Sequence, residues 1–128
     1  MTLQSMAKRI EYWLLSRLKP SSKNPRRHSD AQIAAIAGSI RAFGFNSPIG
    51  IDSQGNIITG FGRYLASIQL KLETVPVIVL DHLTETEKRA YLIADNKLAE
   101  LSSFDDDLLR EELAELRDAD IDLVSCPV

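Results

Sequence analysis

Apolar side chains recur along this chain with two different periods. After Ser29, the residues Ile33, Ile36, Ala37 and Ile40 return at helical spacing as far as Phe43, which predicts an amphipathic helix. Ser29 or Asp30 can cap its start, and Gly44 stands where such helices end. Before it, Glu11–Leu18 is a short bulky run that predicts a strand, and Pro20 to Pro25 predicts irregular chain because each proline disfavours helix in the residue before it. Ile49–Asp52 and Asn56–Thr59 flank Ser53-Gln54-Gly55 as the arms of a tight hairpin. Helical periodicity resumes from Arg63 to Leu72, and the β-branched run Val75–Leu80 predicts a buried strand with Pro76 at an edge or an entry. Thr84 and Glu87 form a capping box for a helix running to about Leu98, and Asp105 or Asp106 caps a last helix over Leu108–Leu116. The pattern predicts a small α+β fold of three to four strands and about four helices.

A length of 128 residues fits one domain, with 45% hydrophobic and 26% charged side chains in the usual range for a soluble protein. No apolar run is long enough to span a bilayer, and the first residues lack the apolar core of a signal peptide. Both predict a cytoplasmic address with no membrane partner. The single cysteine, Cys126, excludes an internal disulfide and a multi-cysteine metal site. Charge changes the picture more. Residues 1–28 hold seven basic side chains against one acidic, whereas residues 100–128 hold two against ten. One end of the chain is thus suited to phosphates and the other repels them.

The segment best placed for chemistry is Gly60-Phe61-Gly62-Arg63, where a strand turns into a helix. The first N–H groups of a helix lack internal partners and carry the positive end of its dipole. Glycines let a ligand approach the backbone closely, and Arg63 adds a guanidinium. A cation here opposes the dipole by about 0.3–1 kcal/mol unless an anion sits beside it. The combination suits phosphate. It is neither a dinucleotide fingerprint, since Leu65 takes the third glycine position, nor a P-loop, since no Gly-Lys-Ser/Thr follows. Asn24-Pro25-Arg26-Arg27-His28 is a second, basic loop, in which an arginine can hold another phosphate and Asn24 can orient the loop; His28 has no partner visible in sequence. Asp95-Asn96-Lys97 either caps a helix end or places a metal-binding carboxylate beside two ligand contacts. No Ser-His-Asp set, paired catalytic carboxylates or His-rich metal spacing stands out.

The order Asn24-Pro25-Arg26, Phe43-Gly44-Phe45, Pro48-Ile49, Gly60-x-Gly62-Arg63, Val75-Pro76-Val77-Ile78 and Ala94-Asp95-Asn96-Lys97-Leu98-Ala99-Glu100 resembles the ParB/sulfiredoxin-like superfamily. It is most similar to the ParB-like nuclease-type domains found in front of phage and bacterial DNA methyltransferases. The resemblance covers residues 10–117 as one nucleotide- and DNA-associated domain and leaves 118–128 as a tail. It implies a pocket for a nucleoside triphosphate, CTP or ATP, with Mg²⁺. Gly60, Phe61, Gly62 and Arg63 then cradle phosphate together with Asn24, Arg26, Asn96 and Lys97, and Asp95 stands near the metal. It also implies that DNA is read by other regions of a longer protein, and it admits a homodimer. Three positions depart from the pattern: Phe61 replaces the usual histidine of the methylase-linked relatives, Ala99 replaces an arginine, and the glycine turn has no cysteine, which excludes a sulfiredoxin reductase. Two other readings follow from the same residues. One is a metal-dependent DNA nuclease using Asp95 with Asp52 or Asp81. The other is a protein-interaction domain with a vestigial pocket, docking through Leu108–Leu116.

Overall fold

The computed structural model describes residues 9–20 and 27–121. Asn24, Arg26, Cys126 and the tail from 122 lie outside the described residues. In chain order the elements are β1 (Ile10–Leu14), a 3₁₀ turn (Leu15–Arg17), α1 (Asp30–Phe43), β2 (Ile49–Ile51), β3 (Ile57–Thr59), α2 (Phe61–Gln69), β4 (Thr74–Val79), α3 (Glu85–Leu101) and α4 (Asp106–Asp118). The four strands form one mixed sheet in the order β1-β4-β2-β3. β4 runs antiparallel to β1 and parallel to β2, and β2 and β3 form the hairpin. The fold is the α+β architecture that the pattern predicts.

Register sorts the side chains into two faces. Ile49 pairs with Val77, Ile51 with Ile57, and Val75 with Trp13. This face, together with Leu18, is the buried core, and Phe45, Phe61, Tyr64 and Leu72 pack against it. Burying each such aliphatic side chain contributes about 1.5–3 kcal/mol. On the other face, Gly50 lies beside Ile78 and Thr59, while Ile10 and Tyr12 remain exposed. Helix α3 packs over β3 there and roofs a cavity of about 480 Å³ lined by Pro48, Gly50, Thr59, Ile78, Leu80, His82, Leu83 and Tyr91.

Local chemistry explains most boundaries and corrects others. Ser29 caps α1 by accepting from the Gln32 N–H, and Gly44 ends it at φ 90°. The capping box of α3 is complete, with the Thr84 hydroxyl accepting from the Glu87 N–H and the Glu87 carboxylate accepting from the Thr84 N–H. Asp105 caps α4 through the N–H groups of Asp107 and Leu108. The predicted strand Glu11–Leu18 stops at Leu14, because the chain bends through the 3₁₀ turn to place Arg17 over the Trp13 ring, 4.0 Å from its centre. Pro76 is an entry residue of a central strand rather than an edge: Tyr12 faces it from β1, and pairing with β2 begins only at Val77, so no ladder bond to β2 is lost. Asp95 and Asn96 do not cap a helix end, since α3 continues to Leu101 before its C-cap at Ser102. Helix α4 has no buried side chain and makes no extensive contact with the rest of the described residues.

Candidate functional site

β3 delivers the chain to the Gly60 turn at the end of Thr59. Gly60 adopts φ 87°, a left-handed conformation that side-chain-bearing residues resist, and a Cβ there would lie 3.3 Å from the Ile49 Cα. Helix α2 then begins at Phe61, two residues earlier than its apolar periodicity predicts. No side chain caps it and no acidic residue lies in its first turn, so the first N–H groups keep their hydrogen-bonding capacity. The first backbone bond of the helix runs from the Tyr64 N–H to the Gly60 carbonyl. Gly62 is buried against His28 and Ile36.

Arg63 is half-buried and forms no ion pair among the described residues. With Ile36, Phe43, Gly44, Asn46 and Ser47 it lines a small cavity of about 150 Å³ between α1 and α2. A guanidinium at the positive end of a helix, with no acid against it, leaves the local field strongly favourable to an anion. Phe61 and Tyr64 stack with ring centres 5.8 Å apart and close the inner side of the turn.

Asp95, Asn96 and Lys97 share the later turns of α3, the helix that packs over β3. Asp95 and Lys97 are exposed, and Lys97 pairs loosely with Glu100 at 3.4 Å. Burial, with the Asp95 charge added, pushes the Tyr91 phenol above its ordinary value. Asp52, by contrast, is spoken for. It is 5% exposed, and its carboxylate accepts from the Gln54 and Asn56 N–H groups, the Asn56 side chain at 2.9 Å and Lys88 at 3.1 Å. Burial raises its pKa, but these donors together outweigh that effect and hold the carboxyl below its ordinary value. Hydrogen bonding to Glu85 and Asp52 raises Lys88 in turn, against its partial burial. Among the described residues no three Asp, Glu, His or Cys side chains converge as a metal site. Asp52 is engaged by its four donors, so of the carboxylates the nuclease reading names it is the one already committed to the fold. Mg²⁺ is commonly held by one or two carboxylates plus substrate phosphates, so the lone Asp95 fits such an ion only jointly with a nucleotide.

His28, which the sequence left without a visible partner, has two in the structure. Its ring lies against the Gly62 backbone and 6.1 Å from the Phe61 ring centre. The available signal was local: His28 and Gln32 sit one helical turn apart and are bonded, at 3.0 Å.

Comparison with known proteins gives the family of the fold. The model of the ParB N-terminal domain matches residues 1–97. The chain is 44% identical over 81 residues to the ParB-like nuclease domain-containing protein YnaK of Escherichia coli, covering 63% of this chain and 93% of that protein. It is 32% identical over 106 residues to the probable chromosome 2-partitioning protein ParB of Deinococcus radiodurans, covering 80% of this chain but only 36% of that protein. Among solved structures, truncated ParB of Caulobacter crescentus complexed with CTP-gamma-S superposes with a TM-score of 0.65 at 23% identity, covering 76% of this chain and 56% of that one. The same protein complexed to the centromeric parS site gives a TM-score of 0.53 at 22% identity, covering 73% and 51%. The described residues contain no helix long and apolar enough to cross a membrane. By the span and order of these matches, the chain belongs to the ParB N-terminal domain family.

Proposed function

We propose that this chain is a nucleotide-binding, DNA-associated module that seats the triphosphate of CTP at the start of α2. The observation that carries the reading is an uncapped helix N-terminus with an unpaired Arg63 beside it, in a family whose Caulobacter member was crystallised with CTP-gamma-S. Gly60, Phe61 and Gly62 offer backbone N–H groups, Arg63 offers a guanidinium, and Asn96 and Lys97 on α3 are further contacts. Asn24 and Arg26 belong to the same proposal as its basic loop. Asp95 would share Mg²⁺ with the phosphates, the ion neutralising their charge. The module serves a longer DNA-processing or DNA-modifying protein, and DNA is read outside this domain. The acidic α4 is a poor groove binder because its phosphate interaction is repulsive.

Calorimetric titration of CTP, ATP and GTP with Mg²⁺ tests this. CTP is expected to bind, and Arg63→Ala to weaken it on the order of tenfold or more, the loss of one charged hydrogen bond. At a hundredfold excess over Kd, bound nucleotide should add about 2.7 kcal/mol of stability. No heat with any of the three up to about 1 mM, where binding would be worth only about 4 kcal/mol, overturns the reading.

A further inference from the structure

Resting on the seat proposed above, we infer that His28 is a proton-linked contact of that seat: phosphate binding at the start of α2 is accompanied by protonation of the His28 imidazole at Nε2. His28 precedes α1 in sequence, yet its ring lies on the first turn of α2. A Cβ at Gly62 would stand 3.0 Å from His28 Cε1 and 3.1 Å from Nδ1, so a glycine at that position is what admits the imidazole so close to the backbone. The ring is also held in one tautomer. Its Nδ1 lies 3.0 Å from Gln32 Oε1, an atom that only accepts, so Nδ1 carries the hydrogen. Gln32 is itself fixed through its backbone N–H, which donates to the Ser29 hydroxyl at 3.1 Å. Nε2 remains, with no hydrogen bond among the described residues.

Neutral, Nε2 presents a lone pair and repels phosphate oxygen; protonated, it donates to it with full charge assistance. Arg27 and Asp30 flank His28 in sequence, and the α2 turn against which it lies carries Arg63 and Tyr64. A polyanion on the seat favours the charged form of an imidazole beside it, as any nearby opposite charge does. Binding therefore takes up a proton, and the extra affinity is present at low pH and lost as pH rises across the interval in which histidine titrates, about pH 5 to 8. The same imidazole offers, from the segment before α1, a group that the turn itself does not supply, Phe61 being apolar.

Mg²⁺-CTP is titrated into the chain and into His28→Gln at pH 6 and pH 8. Because the terminal phosphate of CTP titrates in this interval too, the readout is the ratio of the two affinities at each pH. The unsubstituted chain is expected to bind about tenfold tighter than His28→Gln at pH 6, the equivalent of one pH unit of linkage, with the ratio falling towards one at pH 8. A ratio equal at both pH values overturns the inference while leaving the seat intact. Absence of CTP binding by the unsubstituted chain at both pH values removes the seat and this contact together. If His28→Gln does not fold, the unsubstituted chain decides alone. It has two histidines, and CTP should shift the titration midpoint of the His28 Cε1–H resonance upward while leaving that of His82, on the opposite sheet face, in place. Identical midpoints with and without CTP overturn the inference.

Discussion

Helices α2 and α3 begin in opposite ways. The start of α3 is closed on itself: Thr84 and Glu87 satisfy one another's N–H groups, Glu85 and Glu87 complement the dipole, and Lys88 reaches down to the buried Asp52. The start of α2 has a left-handed glycine instead of a cap, no acid in its first turn, and an arginine that opposes the dipole. Measured by local stability, α3 is well made and α2 is badly made. The difference shows where the fold keeps its polar capacity in reserve. A helix end whose donors are consumed contributes to stability, and one whose donors are left open gives up part of that contribution in exchange for a place where an anion can sit.

The largest way to break the contrast is on the α3 side. Asp52→Ala removes the acceptor of four hydrogen bonds and leaves Lys88 with Glu85 alone, and is expected to cost about 2–4 kcal/mol in urea unfolding. Since the folded-state pKa of Asp52 is depressed, its contribution is full above the ordinary carboxylate range and fades as pH falls through the lower, folded-state value. Asp52→Asn should therefore flatten the loss of stability between about pH 5 and pH 2; an unchanged acid profile would show that the carboxylate charge is not what holds α3. Next in size, Gly60→Ala forces a Cβ into a left-handed turn against Ile49 and should cost about 1–2 kcal/mol, read as a lowered urea midpoint. Thr84→Ala opens half of the capping box, with an expected loss of about 1 kcal/mol by thermal or urea unfolding. The smallest effect has the opposite sign. Arg63→Gln relieves the unfavourable dipole interaction and should stabilise the nucleotide-free chain by about 0.3–1 kcal/mol while weakening CTP. A clear destabilisation by Arg63→Gln would mean that the guanidinium serves packing rather than an anion.

What sequence could reveal followed how local each signal is. The Ser29 and Thr84 caps, Gly44 and the Gly55 turn are all set by residues within four positions of one another, and each stands where the pattern predicts. The role of Asp52 was not legible, because its decisive partner Lys88 is 36 residues away; as a lone acid in a hairpin it suggested metal binding instead. Pro76 suggested an edge or an entry because proline cannot donate; that it is an entry depends on β2 starting to pair one residue later, which no local rule predicts. Asp95-Asn96 resembled a helix end because both residues favour caps, and the leucines beyond them carry the helix on. At the candidate site, the glycine turn and Arg63 were readable from their types and spacing. For His28 the bond to Gln32 was a local signal, but its place on the first turn of α2 was not legible, since it depends on how the segment before α1 meets α2.

The pairing scheme also has a temporal side. Among the described residues the β2–β3 hairpin joins strands that are neighbours in sequence; apart from an isolated bridge between Lys19 and Asn56, the other pairings of the sheet are made by β4. As the chain leaves the ribosome, the hairpin can form at once, but β1 lacks its partner strand until Thr74 to Ile78 have emerged. β1 must then wait for its partner strand, and the slow event in folding should be its capture by β4, a closure that brings Leu14 to Thr74.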